Sequence, residues 1–306
     1  MIPVFGDLDS VLERILCCPA CRGGLCRVPE GVCCQDCQKT YLWRDGILCF
    51  DQANPGQQQE SQLREQVADR YRSLSAREIL KEVALYHCIP VMRDRAARFR
   101  RVFSEQEWVI DIGCGNGYYW AGSAGAKLIL CDFAFNNLLA AKKLLSGLPD
   151  VLLLKTDASG LPLKDKTLSG LWSVQVTQHM PLEVFAEFQR EIQRVLLPEF
   201  CLEIYNFNPS LLHRTVFKLC GKKFHCKGQR GHYLENKLNA RELLELWREF
   251  AGRKRREIFY SEYIFHPNFR MFPQGKGALF VEKLLTPFPG LTQYFAEQIG
   301  IRINGR

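Results

Sequence analysis

Val109-Ile-Asp-Ile-Gly-Cys-Gly-Asn-Gly-Tyr-Tyr-Trp120 is a short apolar run that closes on an acid, Asp111, followed by a turn with glycine at 113, 115 and 117. Such a turn needs positive φ values and no side chains in the way, and glycine supplies both. Bare peptide can then approach a ligand closely at the carboxyl end of a parallel strand, where open α/β sheets bind nucleosides. The dinucleotide fingerprint G-x-G-x-x-G would need glycine at position 118, and that residue is Tyr118. The pattern that remains is D-x-G-x-G-x-G.

Two further segments repeat the strand-then-acid arrangement. Lys127-Leu-Ile-Leu-Cys-Asp132 lies about 20 residues beyond the first strand, where a carboxylate can accept hydrogen bonds from both ribose hydroxyls. Val151-Leu-Leu-Leu-Lys-Thr-Asp157-Ala158 is a third apolar run closing on an acid, and Leu161-Pro-Leu163 with Asp165 follows it. A helix is expected over 135–146 between the second and third runs. Gly170–Val176 predicts a fourth strand, Leu182–Leu196 a helix and Phe200–Phe207 a fifth strand. Arg256–Phe265 and Gly277–Lys283 are read as a closing antiparallel pair. This alternation predicts a doubly wound parallel sheet.

Together these segments resemble the class I S-adenosylmethionine-dependent methyltransferases (methyltransferase type 11-like), and the likeness spans residues 108–283. The resemblance implies a seven-stranded Rossmann-like sheet. It implies cofactor contacts from Asp111, Gly113, Cys114, Gly115 and Gly117 in the first loop, and from Asp132 to the ribose. Phe133, Asp157 and Ala158 would lie at the adenine, with Gln175 on the wall of the site. Thr177-Gln-His-Met-Pro181 resembles the segment that follows the fourth strand in this family, and puts His179 where a general base could sit. One departure stands out. The family's R-V-L-K-P-G-G is here Arg194-Val-Leu-Leu-Pro-Glu-Phe200, without either glycine.

The first 49 residues hold eight of the 14 cysteines. Cys18-Pro-Ala-Cys21 and Cys34-Gln-Asp-Cys37 are two C-x-x-C knuckles with 12 residues between them. Two knuckles aimed at one point complete the tetrahedral sulfur shell that structural zinc prefers. Cys17 and Cys33 adjoin the knuckles and leave a one-residue ambiguity, although Cys18 and Cys34 alone give the x-x spacing. Residues 11–50 resemble the zinc-ribbon domain that serves as an activator subunit of tRNA and protein methyltransferases, with Leu42 where proline is usual. The expected organisation is a zinc ribbon over 1–52, a linker and lid helices over 53–104, and the methyltransferase domain over 105–306. An acceptor cap is expected near 208–255. Within the helical stretch, Tyr71 is a candidate for a lid aromatic.

No apolar run approaches the roughly 20 residues of a membrane span, and the first residues lack the pattern of a secretory signal, so a cytoplasmic protein is expected. The acceptor is open. A small-molecule or lipid-like metabolite fits a cap with aromatics, in which His213, His232 and Tyr233 are candidates. RNA is the second reading. It rests on the net charge of +8, the arginines at 93, 95, 98, 100 and 101, and basic clusters at Lys218–Lys227 and Arg253–Arg256. A catalytically inactive regulatory partner is the third. Adenine-amino and cytosine-carbon methylation are disfavoured: no Asn/Asp-Pro-Pro-aromatic segment follows the fourth strand, and no cysteine follows a proline.

Overall fold

The computed structural model describes residues 8–51, 58–85, 87–221, 227–230, 233–263, 265–266, 269–270 and 276–306. Its framework is the set of apolar runs read above. β5 (Trp108–Ile112), β6 (Lys127–Asp132), β7 (Val151–Lys155), β8 (Leu168–Val174) and β9 (Leu196–Phe207) are parallel neighbours in the order β7-β6-β5-β8-β9. Ile110, Leu130, Leu154 and Leu171 are fully buried, as strands covered on both faces must be. α5 (Phe135–Leu144) and α6 (Leu182–Val195) are the crossovers. The chain passes from α6 into β9 without a loop, because Leu196 already has an extended conformation (φ −77°, ψ 139°). That is how it dispenses with the family's two glycines.

The closing antiparallel pair is only half as expected. β12 (Arg255–Tyr263) is the strand read near Arg256, but its partner is β15 (Ala296–Asn304), which also pairs with β9. Residues 277–283 lie instead in a helix, α10 (Lys276–Leu285). Ala, Leu, Glu and Lys favour helix, and the helix brings Glu282 against Arg95 in the interior, Nε to Oε1 at 2.9 Å. β15 had a clear period-two signal in Ile299, Ile301 and Ile303, all fully buried.

The ribbon does not stand apart. β1 (Leu25–Val28), β2 (Gly31–Cys34), β3 (Thr40–Arg44) and β4 (Ile47–Cys49) form an antiparallel meander, and β4 pairs parallel with β7, Leu48 opposite Leu154. The seven-strand sheet thereby becomes one of eleven strands, β1-β2-β3-β4-β7-β6-β5-β8-β9-β15-β12, among the described residues. α1 (Leu8–Arg14) packs with Leu48, Phe50, Leu161 and Leu163 in one core.

α2 (Gln58–Ala68) starts inside the stretch read as linker, and a 3-10 turn (Asp69–Arg72), α3 (Ala76–Val83) and α4 (Ile89–Arg100) follow it. α7 (Leu211–Leu219) leaves the carboxyl end of β9. Beyond it come the hairpin β10 (Lys227–Arg230) and β11 (Tyr233–Asn236), then α8 (Ala240–Leu246) and α9 (Arg248–Ala251). The single helix expected over 240–250 breaks at Trp247, which is fully buried against Phe185, Phe188 and Phe250. β13 (Phe265–His266), β14 (Phe269–Arg270) and α11 (Pro289–Thr292) are short.

The arginines of α4 are largely structural. Arg95 is 6% and Arg100 2% exposed, and Arg100 donates to the carbonyls of Ala126 and Ser123. Replacing Glu282 by Leu would strand the Arg95 charge in the interior. The expected cost is about 3–5 kcal/mol, visible as a lower urea midpoint, and adding Arg95→Met should recover most of it.

Candidate functional site

A cleft of about 410 Å³ opens at the carboxyl ends of β5, β6 and β8. Its floor is the loop after β5. Gly113, Gly115 and Gly117 have φ of +66°, +54° and +61°, the left-handed region that side chains resist. At Gly113 an added Cβ would come within 2.2 Å of Val176. At Gly115 it would meet nothing within 4 Å, since that backbone borders the cleft. The loop is anchored by Gly113 and Cys114 amides donating to the Cys131 carbonyl, at 2.8 and 3.0 Å.

Asp132 ties the loop to the neighbouring strand. One carboxylate oxygen accepts from the Gly115 amide at 2.9 Å and the other from the Ala134 amide at 2.8 Å, with Asn137 Nδ2 at 3.3 Å from both. A carboxylate has about four acceptor positions, so capacity remains toward the cleft that Asp132 lines. Burial raises its pKa, and the amide bonds act against that rise.

Gly113, Cys114, Gly115, Asp132, Phe133, Ala158, Gln175 and His179 all line the cleft. Gln175 holds φ at +57° and donates its amide to the Tyr205 carbonyl, a strained turn for a residue with a side chain. Three of the expected cofactor residues are not on the lining. Gly117 packs beneath the loop, where an added Cβ would sit 3.3 Å from Leu145. Asp157 Oδ1 accepts from the amide and hydroxyl of Ser159, at 2.8 and 2.6 Å, and so caps its own turn. Its neighbours Thr156 and Ala158 reach the cleft instead.

Asp111 is fully buried below the loop and accepts from Trp120 Nε1 at 2.7 Å. Burial pushes its carboxyl up to about 7, against the pull of the Trp120 bond. Trp120, Tyr119, Trp172 and Tyr205 form a continuous aromatic stack beside it, with centroids 4.6–6.0 Å apart.

His179 is held from one side. Gln178 Oε1 accepts from the Phe207 amide at 2.6 Å, so its amide nitrogen faces His179 Nε2 at 3.2 Å. Nε2 is therefore an acceptor already engaged, and a base role for it requires that bond to break. His213 lies outside the cleft, fully buried, with Nδ1 2.5 Å from Ser210 Oγ and its ring on Phe207. Tyr233 begins β11, and His232 lies outside the described residues.

The lid was the part least visible beforehand. Glu60, Arg64, Val67 and Tyr71 fall on one stripe at spacings of four, three and four, and all line the cleft. Arg64 pairs with Glu60 at 2.7 Å and Arg70 with Glu82 at 3.2 Å. The sequence reading missed His87 and Tyr118, which stack at 5.6 Å on the cleft wall. Behind them His87 Nδ1 is 3.6 Å from Glu262 Oε2, and Glu262 is buried and bonded to the Cys88 amide at 2.6 Å. A histidine at the foot of a lid helix gives no periodic signal.

In the ribbon, the sulfurs of Cys18, Cys21, Cys34 and Cys37 lie within 4.8 Å of one another. Cys18 and Cys37 are 3.6 Å apart and Cys21 and Cys34 3.4 Å, near the ~3.8 Å edge of a tetrahedral Zn–S₄ site with 2.3 Å bonds. Although burial raises the Cys18 thiol, hydrogen bonds from Tyr41 and nearby amides outweigh it and bring the pKa to about 6. Cys17 and Cys33 stand outside the group: the Cys17 amide bonds Pro162, and Cys33 Sγ leans on the Cys34 carbonyl.

A parallel sheet in this order, with a left-handed glycine loop facing an acid on the next strand, defines an S-adenosylmethionine-dependent methyltransferase fold. Residues 110–200 match the methyltransferase domain family, and the chain is a methyltransferase of this class. No curated protein matches the sequence. Solved structures with a similar fold include a SAM-dependent methyltransferase from Archaeoglobus fulgidus (18% identity, 69% of this chain and 94% of that one, TM-score 0.45). Another is a SAM-dependent methyltransferase from Thermotoga maritima, described as a possible histamine N-methyltransferase (16% identity, 76% and 98%, TM-score 0.49). A third belongs to the complex of the Haloferax volcanii Trm112 methyltransferase activator with a methyltransferase (14% identity, 70% and 88%, TM-score 0.46).

Asp111 generates a test of its own. Unfolded, its carboxyl ionises near pH ~4. Between about pH 4 and 7 the folded state holds the extra proton, so stability falls as pH rises and levels off above about 7. The span is on the order of 4 kcal/mol. Asp111→Asn keeps an acceptor for Trp120 and removes the titration, so its Tm should gain on the wild type at pH 8 relative to pH 5. A constant difference would reject the assignment.

Proposed function

We propose that this chain transfers the methyl group of S-adenosylmethionine to a small-molecule or lipid-like acceptor. The observation that carries the cofactor half is the Gly113–Gly117 loop opposite the Asp132 carboxylate on one cleft wall. The residues fit that cofactor. Gly115 leaves room where a side chain would intrude, Asp132 keeps acceptor capacity for ribose hydroxyls, and Phe133 and Ala158 offer an apolar bed for a base. Bound there, the sulfonium supplies an activated methyl group for direct displacement.

The protein's part is mostly orientation, since holding acceptor and donor in line removes much of the barrier. The far wall consists of Tyr71, Val83, Tyr118, Val176 and Met180, an apolar and aromatic surface suited to a small organic acceptor. A proton leaving the acceptor would pass to His179 if Gln178 released Nε2, or to His87 backed by Glu262.

RNA is less well supported. The cleft arginines face carboxylates, and Arg95 and Arg100 are internal. Arg255 pairs with Asn304, at the end of the sheet opposite the cleft, so the Arg253–Arg256 cluster is far from the acceptor mouth. Incubation with methyl-labelled S-adenosylmethionine and either total RNA or metabolite and lipid extracts should label the extracts. Label entering RNA alone would reverse the order of the two readings. Asp132→Ala should weaken cofactor binding at least ~10-fold by calorimetry; unchanged binding would remove Asp132 from the site.

The four converging thiols support a structural zinc in the ribbon. That metal would hold the β-meander against β7, because a unit this small has little core of its own. Elemental analysis should find about one zinc per chain. It should be lost in Cys21→Ser/Cys37→Ser and retained in Cys33→Ser; retention in the double variant would exclude this ligand set.

A further inference from the structure

We infer that the surface formed by α7, α10 and the turn into α11 docks on an anionic lipid bilayer. Six of the twelve large apolar side chains exposed among the described residues gather there. Leu211 and Leu219 on α7 are 62% and 81% exposed, and Phe280 and Leu284 on α10 are 67% and 56%. Phe288 and Leu291 at α11 are 56% and 54% exposed. The Leu212 amide donates to the Tyr294 carbonyl at 2.9 Å and Thr286 to Glu282 at 3.0 Å, so the three elements are tied together. Apolar residues gathered this way mark an interaction site rather than ordinary surface scatter.

Charge identifies the occupant. α7 carries Arg214 and Lys218 and no acid. The one acid on α10, Glu282, is buried against Arg95, which leaves Lys283 on the outside. The segment 286–294 has no charged residue at all. Leucine and phenylalanine set among cations, with no carboxylate of these segments exposed, match the boundary of a bilayer with negative headgroups. A second copy fits poorly. A two-fold contact sets the same patch against itself and would bring the Arg214, Lys218 and Lys283 charges of both copies together.

The position is also suggestive. α7 starts at the carboxyl end of β9, beside the amino end of β15, on the side of the sheet where the cleft opens. Docking would present the cleft mouth to the headgroup layer. The inference rests on the surface alone and not on the acceptor's identity, so the methyl-transfer assay and the test below fail independently.

The test is sedimentation of the whole chain with phosphatidylcholine vesicles containing about one third phosphatidylglycerol, compared with pure phosphatidylcholine. Co-sedimentation with the anionic vesicles is expected, weaker at high salt. Phe280→Asp/Leu284→Asp should reduce it at least ~10-fold while the far-UV spectrum and Tm stay unchanged. If that variant unfolds, Leu219→Asp tests the same face from α7. The inference is overturned if the wild type stays in the supernatant, if neutral vesicles bind it equally, or if folded variants still sediment. It is also overturned if the patch instead makes a dimer in analytical ultracentrifugation that the variants abolish.

Discussion

The backbone between Ile112 and Tyr118 can be followed only by turning left-handed three times, at Gly113, Gly115 and Gly117. The cleft depends on that path. It turns amides inward, where Cys131 and Asp132 on the neighbouring strand receive them, so β5 and β6 are locked together at the point where a ligand would lie. Asp132 is consequently both a brace for the loop and a group on the cleft lining. Any substitution there disturbs the floor and the ligand contact at once.

A second constraint lies under the first. Asp111 sits at zero exposure, with one oxygen on Trp120, in an aromatic wall that runs through Trp172 to Tyr205. A carboxyl with so little solvation favours its neutral form. The neutral form satisfies the indole without importing charge beneath the glycine loop. The acid that opens the motif thus acts through packing, while the acid on the next strand faces the cleft. Similar residues at similar places in the sequence have divided the work according to burial.

Strand-ending acids, glycine spacing and cysteine knuckles were legible in the sequence because each is a local pattern with one physical reading. The fold class and the eight lining residues named in advance came from such patterns. What was not legible is tertiary. The assignment of 277–283 to a strand failed because an apolar run of seven suits either state, and the buried Arg95–Glu282 pair favours the helix. The parallel seam between β4 and β7 joins segments about a hundred residues apart, and nothing local announces it. Asp157 was taken for a ligand contact, yet Ser159, two residues on, captures its oxygen. His87 comes into reach of Glu262 only after β12 has folded back along β15.

The net charge of +8 illustrates the same limit at the scale of the whole chain. Counted along the sequence, the arginines of 93–101 and 253–256 suggest a groove for phosphates. In the fold, Arg95 neutralises Glu282, Arg100 satisfies two carbonyls, and β12 carries its basic end away from the cleft. Cations already spent on internal partners contribute little to an external field, because a paired charge acts at a distance only as a dipole. Arg214, Lys218 and Lys283 differ in their company. They lie among exposed leucines and phenylalanines, on elements that offer them no exposed acid. Where the acids lie therefore decides which part of the positive charge is available to a partner. By that criterion the available charge belongs to the apolar face at the cleft end of the sheet and not to a nucleic-acid groove.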